Sequence, residues 1–565
     1  MYWINTCHRF THPSTRARAR LSLGLAGLLV LALTVPAQAI DNPKRTPPAG
    51  GIPNPLPISK LAPSKLIPDL CVYRYKISTD SPECQAFFDQ GLGYLYSYVW
   101  MEAARSFETA TYHDPNCAMA YWGLSRALER WGRGDANQQA AKAHELMGRA
   151  SWAEQQLILA RMQEKGLVPN VGDAEARRKA ATDTLDKLLA VHDDDEEGWF
   201  ARAQIASGGG LFGGNAAAVP FYKALLKINP LHPGATHELA HFYENFQRPA
   251  LGWGYSEDYI RSSPGIPHPW HMQSHLATRL GRWNRSSASS TRAIELQRKY
   301  HKEMNVKPTD DHQFSHHLEV LFLSLLHDGR YREARAIKQE CLEHGFKHWI
   351  PWFRLHLAER DWDEALKIAE DHRKRDKLTA SYLAAQVYLA QHDPARATPE
   401  VEVLAEAFRS GKKDKQLKHR LWEVQGQLLC QTDGVEAGLK LLQRCVEETK
   451  DDYSHHAWGN GAYYMEIWGL AALHAGRYDV AEEAFLEALA HDSGSARGAL
   501  GLQVMCENMG RQEEARQYAD LARRFWKHAE VQTFDAELAA IRQSYPNVSS
   551  ASVATPQPPT EGVSR

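Results

Sequence analysis

The sequence predicts an all-α protein built as an array of antiparallel helix pairs. Small and aromatic residues recur in a 34-residue frame, and the turn pattern Gly-Arg-x-x-x-Ala occurs at three places. Alternation of polar and apolar residues with a period of two, which marks β-strands, is almost absent. With 565 residues, 43% of them apolar, the chain is long enough to bury a large core.

The 34-residue frame is clearest near the two ends of the chain. Counted from Cys84, it places a glycine at Gly91 and an aromatic residue at Phe107, and the same offsets later give Gly469 and Phe485. Small residues let two helices approach closely, and the aromatic ring fills the space between them. The Gly-Arg turns begin at the glycines Gly329, Gly476 and Gly510.

This pattern resembles the tetratricopeptide repeat, a 34-residue helix–turn–helix unit. The resemblance implies a right-handed superhelix of helix pairs. We expect repeats with an irregular helical insertion at 83–230, His-rich central repeats at 231–345 and further repeats at 346–545.

The first 39 residues have the pattern of a secretory signal peptide. Arginines precede the apolar run Leu21–Val35, and Ala37-Gln38-Ala39 follows it as a small-residue cleavage site. A bilayer span needs about 20 apolar residues, so this run does not predict a stable membrane anchor. We expect cleavage near Ala39 and a periplasmic or secreted protein.

Two further segments are predicted to lack helices. Residues 40–82 are rich in proline and should form an extended segment that tethers the fold or lies on it. Residues 546–565 are rich in Ser, Thr and Pro and should form a disordered tail.

Charge and motifs argue against several classes of protein. Lys and Arg number 66 against 68 Asp and Glu, and nucleic-acid binding would need a basic surplus. The absence of a CxxCH motif argues against covalent c-type haem. The glycines at 208–214 lack a following GK[ST], so the sequence predicts no nucleotide site.

Histidines are concentrated in the central part of the chain. Between His232 and His317 lie 10 of the 27 histidines, where an even spread would place about four. Three pairs have a spacing of four residues, which stacks two imidazoles on one helix face. These pairs are His237/His241, His271/His275 and His312/His316.

The spacing predicts a metal site shared by neighbouring helices. We expect the first two pairs to converge on one ion, because facing helices lie about 10 Å apart. Imidazole donors favour zinc, copper, nickel or iron over magnesium or calcium. The alternative is that these histidines line a packed interface as neutral, hydrogen-bonded rings. The candidate ligands are His237, His241, Glu244, His271, His275, His316 and His317.

A second interpretation starts from the motif His237-Glu238-Leu239-Ala240-His241. It matches the HExxH pattern of zinc peptidases, in which two histidines bind zinc and the glutamate activates water. No extended HExxHxxGxxH form follows it. In a helix-pair repeat, Glu238 would instead be a solvated residue.

The central motifs resemble those of a family of exported bacterial tetratricopeptide proteins. Its members read HPGAxHxxxHxxE followed by HMPSHIxxRxGR, and this chain matches at 232–244 and 271–282, with Gln273 in place of proline. Segments 81–91 and 114–123 are similar to that family's first repeat. The resemblance covers roughly residues 70–340 and implies the fold and the histidine positions, but no reaction.

The sequence therefore favours a periplasmic scaffold that binds a protein or peptide in the groove of its repeats, with the histidine cluster as an additional metal site. The alternative is a metal-dependent enzyme built on that cluster, including a HExxH zinc hydrolase. No complete catalytic set is present in the sequence, and this favours the scaffold.

Overall fold

The computed structural model describes residues 51–169, 172–209, 212–411, 414–452 and 460–543. These residues form 25 α-helices and, within the same ranges, no β-strand. Consecutive helices pack as neighbouring pairs along the chain. The predicted all-α array of helix pairs is confirmed.

Eight helices form the N-terminal part of the array. They are α1 (Pro82–Tyr96), α2 (Trp100–His113), α3 (Ala118–Trp131), α4 (Ala136–Leu146), α5 (Trp152–Glu164), α6 (Ala174–Val191), α7 (Glu196–Ala206) and α8 (Val219–Ile228).

Three helix pairs follow and form the His-rich part. They are α9 (Pro233–Asn245) with α10 (Pro249–Ser262), α11 (Pro267–Arg279) with α12 (Trp283–Met304), and α13 (Phe314–His327) with α14 (Tyr331–Glu343).

The C-terminal part contains eleven helices within the described residues. They are α15 (Trp349–Glu359), α16 (Trp362–Arg373), α17 (Lys377–Ala390), α18 (Pro394–Arg409), α19 (Lys415–Cys430), α20 (Val435–Thr449), α21 (Tyr463–His474), α22 (Tyr478–His491), α23 (Ala496–Asn508), α24 (Gln512–Phe525) and α25 (Val531–Ile541).

Glycines and phenylalanines explain why neighbouring helices pack so closely. Phe107 of α2 lies between Gly91 of α1 and Gly123 of α3, where an added Cβ would come within 2.7 and 2.5 Å of its ring. Phe485 of α22 has the same relationship to glycines on α21 and α23, at 2.6 and 2.2 Å. The repeated spacing in the sequence therefore corresponds to a repeated packing unit.

The described part of the segment before α1, residues 51–81, contains no helix and lies on the array. The backbone amides of Ile58 and Ser59 donate hydrogen bonds to the carboxylate of Glu108, each at 2.7 Å. The amide of Ile67 donates to the side-chain oxygen of Gln90 at 2.9 Å. Helices α1 and α2 thus supply acceptors that hold a proline-rich segment with few regular backbone bonds.

The predicted signal peptide at 1–39 and the predicted tail at 546–565 lie outside the described residues. Among the helices that the structure describes, none is long and apolar enough to span a membrane.

Candidate metal centre

The central histidines lie on the first helices of three consecutive pairs, α9, α11 and α13. Helix α11 packs between the other two, so its face meets both. His232 caps the N-terminus of α9 by accepting a hydrogen bond from the amide of Ala235 at 3.2 Å, and Pro233 occupies the first turn. This cap fixes the start of the helix that carries His237 and His241.

His237, His241 and His268 form what we call the first histidine group. Each offers one nitrogen, and the three nitrogens lie within 4.8 Å of one another. Nε2 of His237 is 3.0 Å from Nε2 of His268. All three side chains are buried, with at most 6% exposure.

His271, His275 and His316 form the second histidine group. Their three donor nitrogens also lie within 4.8 Å of one another. Nε2 of His275 is 3.4 Å from Nε2 of His316 on α13.

The 3.4 Å separation in the second group matches two ligands of one metal ion, and the 3.0 Å separation in the first group is somewhat shorter. Imidazole nitrogens bind zinc at about 2.0–2.1 Å, so two corners of a tetrahedral site are about 3.4 Å apart. A hydrogen bond between two neutral imidazoles spans a similar distance. Donor separations alone therefore fit both an ion and a hydrogen bond, and the partners of each ring have to be compared.

Hydrogen-bond acceptors fix the tautomer of several rings. Nδ1 of His237 lies 2.6 Å from the carbonyl oxygen of Tyr96, which accepts its proton. Nδ1 of His317 lies 2.7 Å from Oε1 of Gln297, whose amide group donates to Asp311. With the proton on Nδ1, each Nε2 carries a lone pair, the form that binds a metal ion.

Of the buried histidine ring nitrogens that have no hydrogen-bond partner among the described residues, three lie on α9, α11 and α13. They are Nε2 of His241, Nδ1 of His271 and Nε2 of His317. A buried polar atom left unsatisfied costs roughly 1–3 kcal/mol. A metal ion bound by His241 in the first group would remove that cost at its Nε2.

Glu244 orients rings in both groups. Its carboxylate lies 3.6 Å from Nδ1 of His241 and 3.3 Å from Nδ1 of His275. Arg279 lies 3.4 Å from the same carboxylate. Glu244 therefore lies beside Nδ1 of each ring, and Nε2 of each ring points toward the other histidines of its group. Metal-binding histidines commonly have such a carboxylate next to the nitrogen that does not bind the metal.

Burial favours the neutral form of His237, His268, His271 and His275. Burial and the neighbouring imidazoles hold the pKa values of His237, His268 and His271 well below the usual range. Burial lowers the pKa of His275 to about 4, although Glu244 opposes this change. Burial by itself would raise the pKa of Glu244, but His275 and His241 hold it well below its usual range.

Aromatic rings cover the first histidine group. The Tyr98 ring lies 4.4 Å from that of His237 and stacks on that of His241 at 6.0 Å. The Phe212 ring meets His241 edge-on at 5.2 Å. Tyr98 adopts a left-handed backbone conformation, with φ of 59°, which is uncommon for a bulky residue and marks a constrained site.

Glu238 is neither the solvated residue expected of a helix-pair repeat nor a carboxylate with a free oxygen, as expected of a HExxH peptidase. It is 2% exposed, so it is not a solvated residue. Oε1 accepts a hydrogen bond from the Tyr98 hydroxyl at 2.9 Å, and Oε2 accepts one from the amide of Gly213 at 2.8 Å. Both carboxylate oxygens are thus engaged in holding the structure around the first group.

The expected four-histidine set is divided between two groups. His237 and His241 group with His268, whereas His271 and His275 group with His316. His317 stacks on His271 at 3.8 Å. Glu244 contacts ring nitrogens and belongs to neither group of donor atoms.

His268 is the member that sequence reasoning missed. It precedes His271 by three residues and His275 by seven, which places all three on one face of α11. That spacing was readable from the sequence. His312 and His316 are also four residues apart, but His312 does not belong to the second group. The His312 ring stacks on the Trp100 ring at 5.1 Å.

A third set of potential ligands lies in the N-terminal part. Cys84, Asp114 and Cys117 are buried, and their donor atoms lie within 4.8 Å of one another. All seven cysteines of the described residues are free thiols. The Asp114 carboxylate already accepts hydrogen bonds from Thr79 and from the amide of Asn116.

No protein-family model matches the chain, and no curated protein matches it significantly. The buried histidine groups can hold a metal ion, and this ability is the chemical property that the geometry defines.

Proposed function

We propose that this protein binds a divalent transition-metal ion at the first histidine group. The observation that carries the proposal is the unpartnered, buried Nε2 of His241 beside Nε2 of His237 and His268. Three imidazoles supply three of the four ligands of a tetrahedral site. Nitrogen donors favour zinc, copper, nickel or iron over magnesium or calcium.

The competing interpretation is a network of neutral rings without an ion. Gln313 lies 3.2 Å from Nδ1 of His268 and can donate to it, His268 can donate to His237, and His237 donates to the Tyr96 carbonyl. This chain of bonds satisfies two rings. It supplies no donor for Nε2 of His241, and a bound ion would satisfy that atom.

A peptidase is the less favoured function. In a HExxH enzyme the glutamate must reach a metal-bound water and act as a base. Glu238 instead accepts hydrogen bonds at both oxygens from Tyr98 and Gly213. Its carboxylate would have to break a buried contact before it could take a proton.

Metal analysis of purified variants tests the proposal. We expect the apo protein, loaded with zinc and passed through a desalting column, to retain zinc, and both His241→Ala and His268→Ala to lose one equivalent. His312→Ala is the matched control, because this histidine stacks on Trp100 outside both groups. Equal zinc retention in wild type and in both ligand variants would refute the proposal.

A scaffold function is the second candidate. A cavity of about 830 Å³ is lined mainly by the C-terminal helices, with residues of α13 and α14, and combines charged and aromatic side chains. Arg354 lies 5.3 Å from the centre of the Tyr463 ring, and Glu423 accepts a hydrogen bond from Tyr463 at 2.8 Å. Such a lining suits an extended peptide with mixed polar and apolar side chains.

Site-specific photocrosslinking tests the scaffold function. A photoreactive residue in place of Arg396, which lines the cavity, should crosslink a partner protein in cells. The same residue in place of the exposed Glu483 should not. Equal crosslinking from both positions would argue against a partner in this cavity. We further propose that both functions operate outside the cytoplasm, on the basis of the N-terminal sequence pattern.

A further inference from the structure

The two histidine groups differ in their access to solvent. The side chain of His316, in the second group, is 40% exposed, whereas His271 and His275 are almost fully buried. Every member of the first group is at most 6% exposed. One edge of the second group therefore reaches solvent, whereas every ring of the first group is buried among the described residues.

The solvent side of the second group is polar. Glu319 lies 3.7 Å from Nδ1 of His316 and 3.6 Å from Nδ1 of His348. Ser315 lies 3.1 Å from Nε2 of His348. The first group, by contrast, is covered by the rings of Tyr98 and Phe212.

His317 does not complete the second group. Its ring stacks on that of His271 at 3.8 Å with only 26° between the planes. Lone pairs of imidazole lie in the ring plane, so those of two nearly parallel rings do not meet at one ion. Among the residues that the structure describes, three imidazoles are thus the donor set of this group.

We propose that the second histidine group binds a second ion whose fourth coordination position opens to solvent and takes a small oxygen or nitrogen donor. This inference rests on the proposed function, because it requires that the histidine centre binds metal. Three protein ligands with a solvent-derived fourth ligand are typical of exchangeable, reactive metal sites. Water fills the position by default, and a small anion can displace it.

Glu244 connects the two ions in this arrangement. It contacts His241 of the first group and His275 of the second, whose ring centres are 6.5 Å apart. A buried carboxylate shared by both groups compensates part of the positive charge of two ions. The closed ion would stabilise the three-helix packing, and the open ion would bind the exogenous ligand.

Cobalt substitution with azide as the probe tests this inference. The apo full-length protein is loaded with Co²⁺, bound cobalt is counted, and the visible spectrum is recorded during an azide titration. We expect two cobalt ions per chain and a saturable change in the spectrum of one of them. His268→Ala should keep one ion and the azide response. His316→Ala should keep one ion and lose the response.

The possible results separate the two proposals. No retained cobalt in wild type would overturn the proposed function. Two retained ions with no azide response would overturn the inference alone. A response that His268→Ala abolishes and His316→Ala preserves would also overturn the inference, because the open position would then belong to the first group. Circular dichroism of both variants confirms that each remains folded.

Discussion

The carboxylate of Glu244 lies 3.3 Å from Nδ1 of His275, one helix away. This contact places the ring proton on Nδ1 and turns Nε2 toward His316. The same carboxylate faces Nδ1 of His241 in the neighbouring group. A residue that the sequence predicts as a ligand therefore acts, in the geometry observed, as an orienting group for two ligands.

Glu244→Gln should weaken metal binding without removing any ligand. An amide carries no negative charge and fixes the tautomer of His241 and His275 less strongly. Loss of such an orienting carboxylate typically lowers metal affinity about 10- to 100-fold. Competition with a chromophoric chelator measures the change. Glu257→Gln, at an exposed position on α10, is the control and should leave the affinity unchanged; an equal effect of both variants would contradict the role of Glu244.

The repeated spacing of small and aromatic residues was sufficient to predict the helix pairs. The glycines at the eighth position of the frame, Gly91 and Gly469, contact Phe107 and Phe485 of the next helix. The sequence pattern therefore reflects the packing of each helix pair. Between Trp131 and Ile228 the sequence does not follow the 34-residue frame, and it predicts an irregular helical insertion.

The sequence predicts which histidines share a helix face, but it does not predict which histidines from different helices come together. Spacing along α9 and α11 identifies which histidines share a face. It does not reveal how far one helix is shifted along its neighbour, and that shift decides which imidazoles meet. His316 lies next to His275 because α13 packs against α11 with these two residues at the same level along the helix axes. Tyr98 and Gly213 were unpredictable partners of Glu238, since they come from distant segments.

Gly123→Ala should destabilise the N-terminal pairs. The added Cβ would lie 2.5 Å from the Phe107 ring, which is fully buried and cannot move freely. Overpacking of this kind typically costs about 1–3 kcal/mol. Urea unfolding followed by circular dichroism measures the loss. Gly148→Ala is the control, because a Cβ added at this glycine would meet no other atom within 4 Å. Equal midpoints for the two variants would contradict the packing argument.

Acid should destabilise the protein through His232. Burial and Arg126 lower the pKa of this imidazole from 6.5 to about 3. As pH falls, His232 is therefore protonated in the unfolded chain at a higher pH than in the folded protein. Its contribution to the free energy of unfolding is complete above pH 6.5 and declines toward pH 3. The slope is about 1.4 kcal/mol per pH unit.

His232→Asn tests this dependence. Asparagine can still cap α9, so the variant should fold, although it loses ring contacts with Tyr73 and Phe200. The free energy of unfolding is measured by urea titration at several pH values between 4.5 and 7. We expect a shallower decline in the variant than in wild type. Parallel curves would show that His232 does not carry this part of the acid sensitivity.

Metal should raise the thermal midpoint of the wild-type protein. An ion that binds only the folded state stabilises it by about 2.7 kcal/mol when its free concentration is 100 times the dissociation constant. The first histidine group joins α9 to α11, so a metal ion bound there should stabilise the contact between these helices.

Differential scanning fluorimetry with and without zinc, buffered by a chelator, measures the shift of the thermal midpoint. His241→Ala removes a ligand of the first group and should reduce the shift, whereas His312→Ala should preserve it. A shift that persists equally in His241→Ala would mean that zinc acts elsewhere on the chain, and a midpoint that zinc leaves unchanged in wild type would mean that the histidines are neutral packing residues.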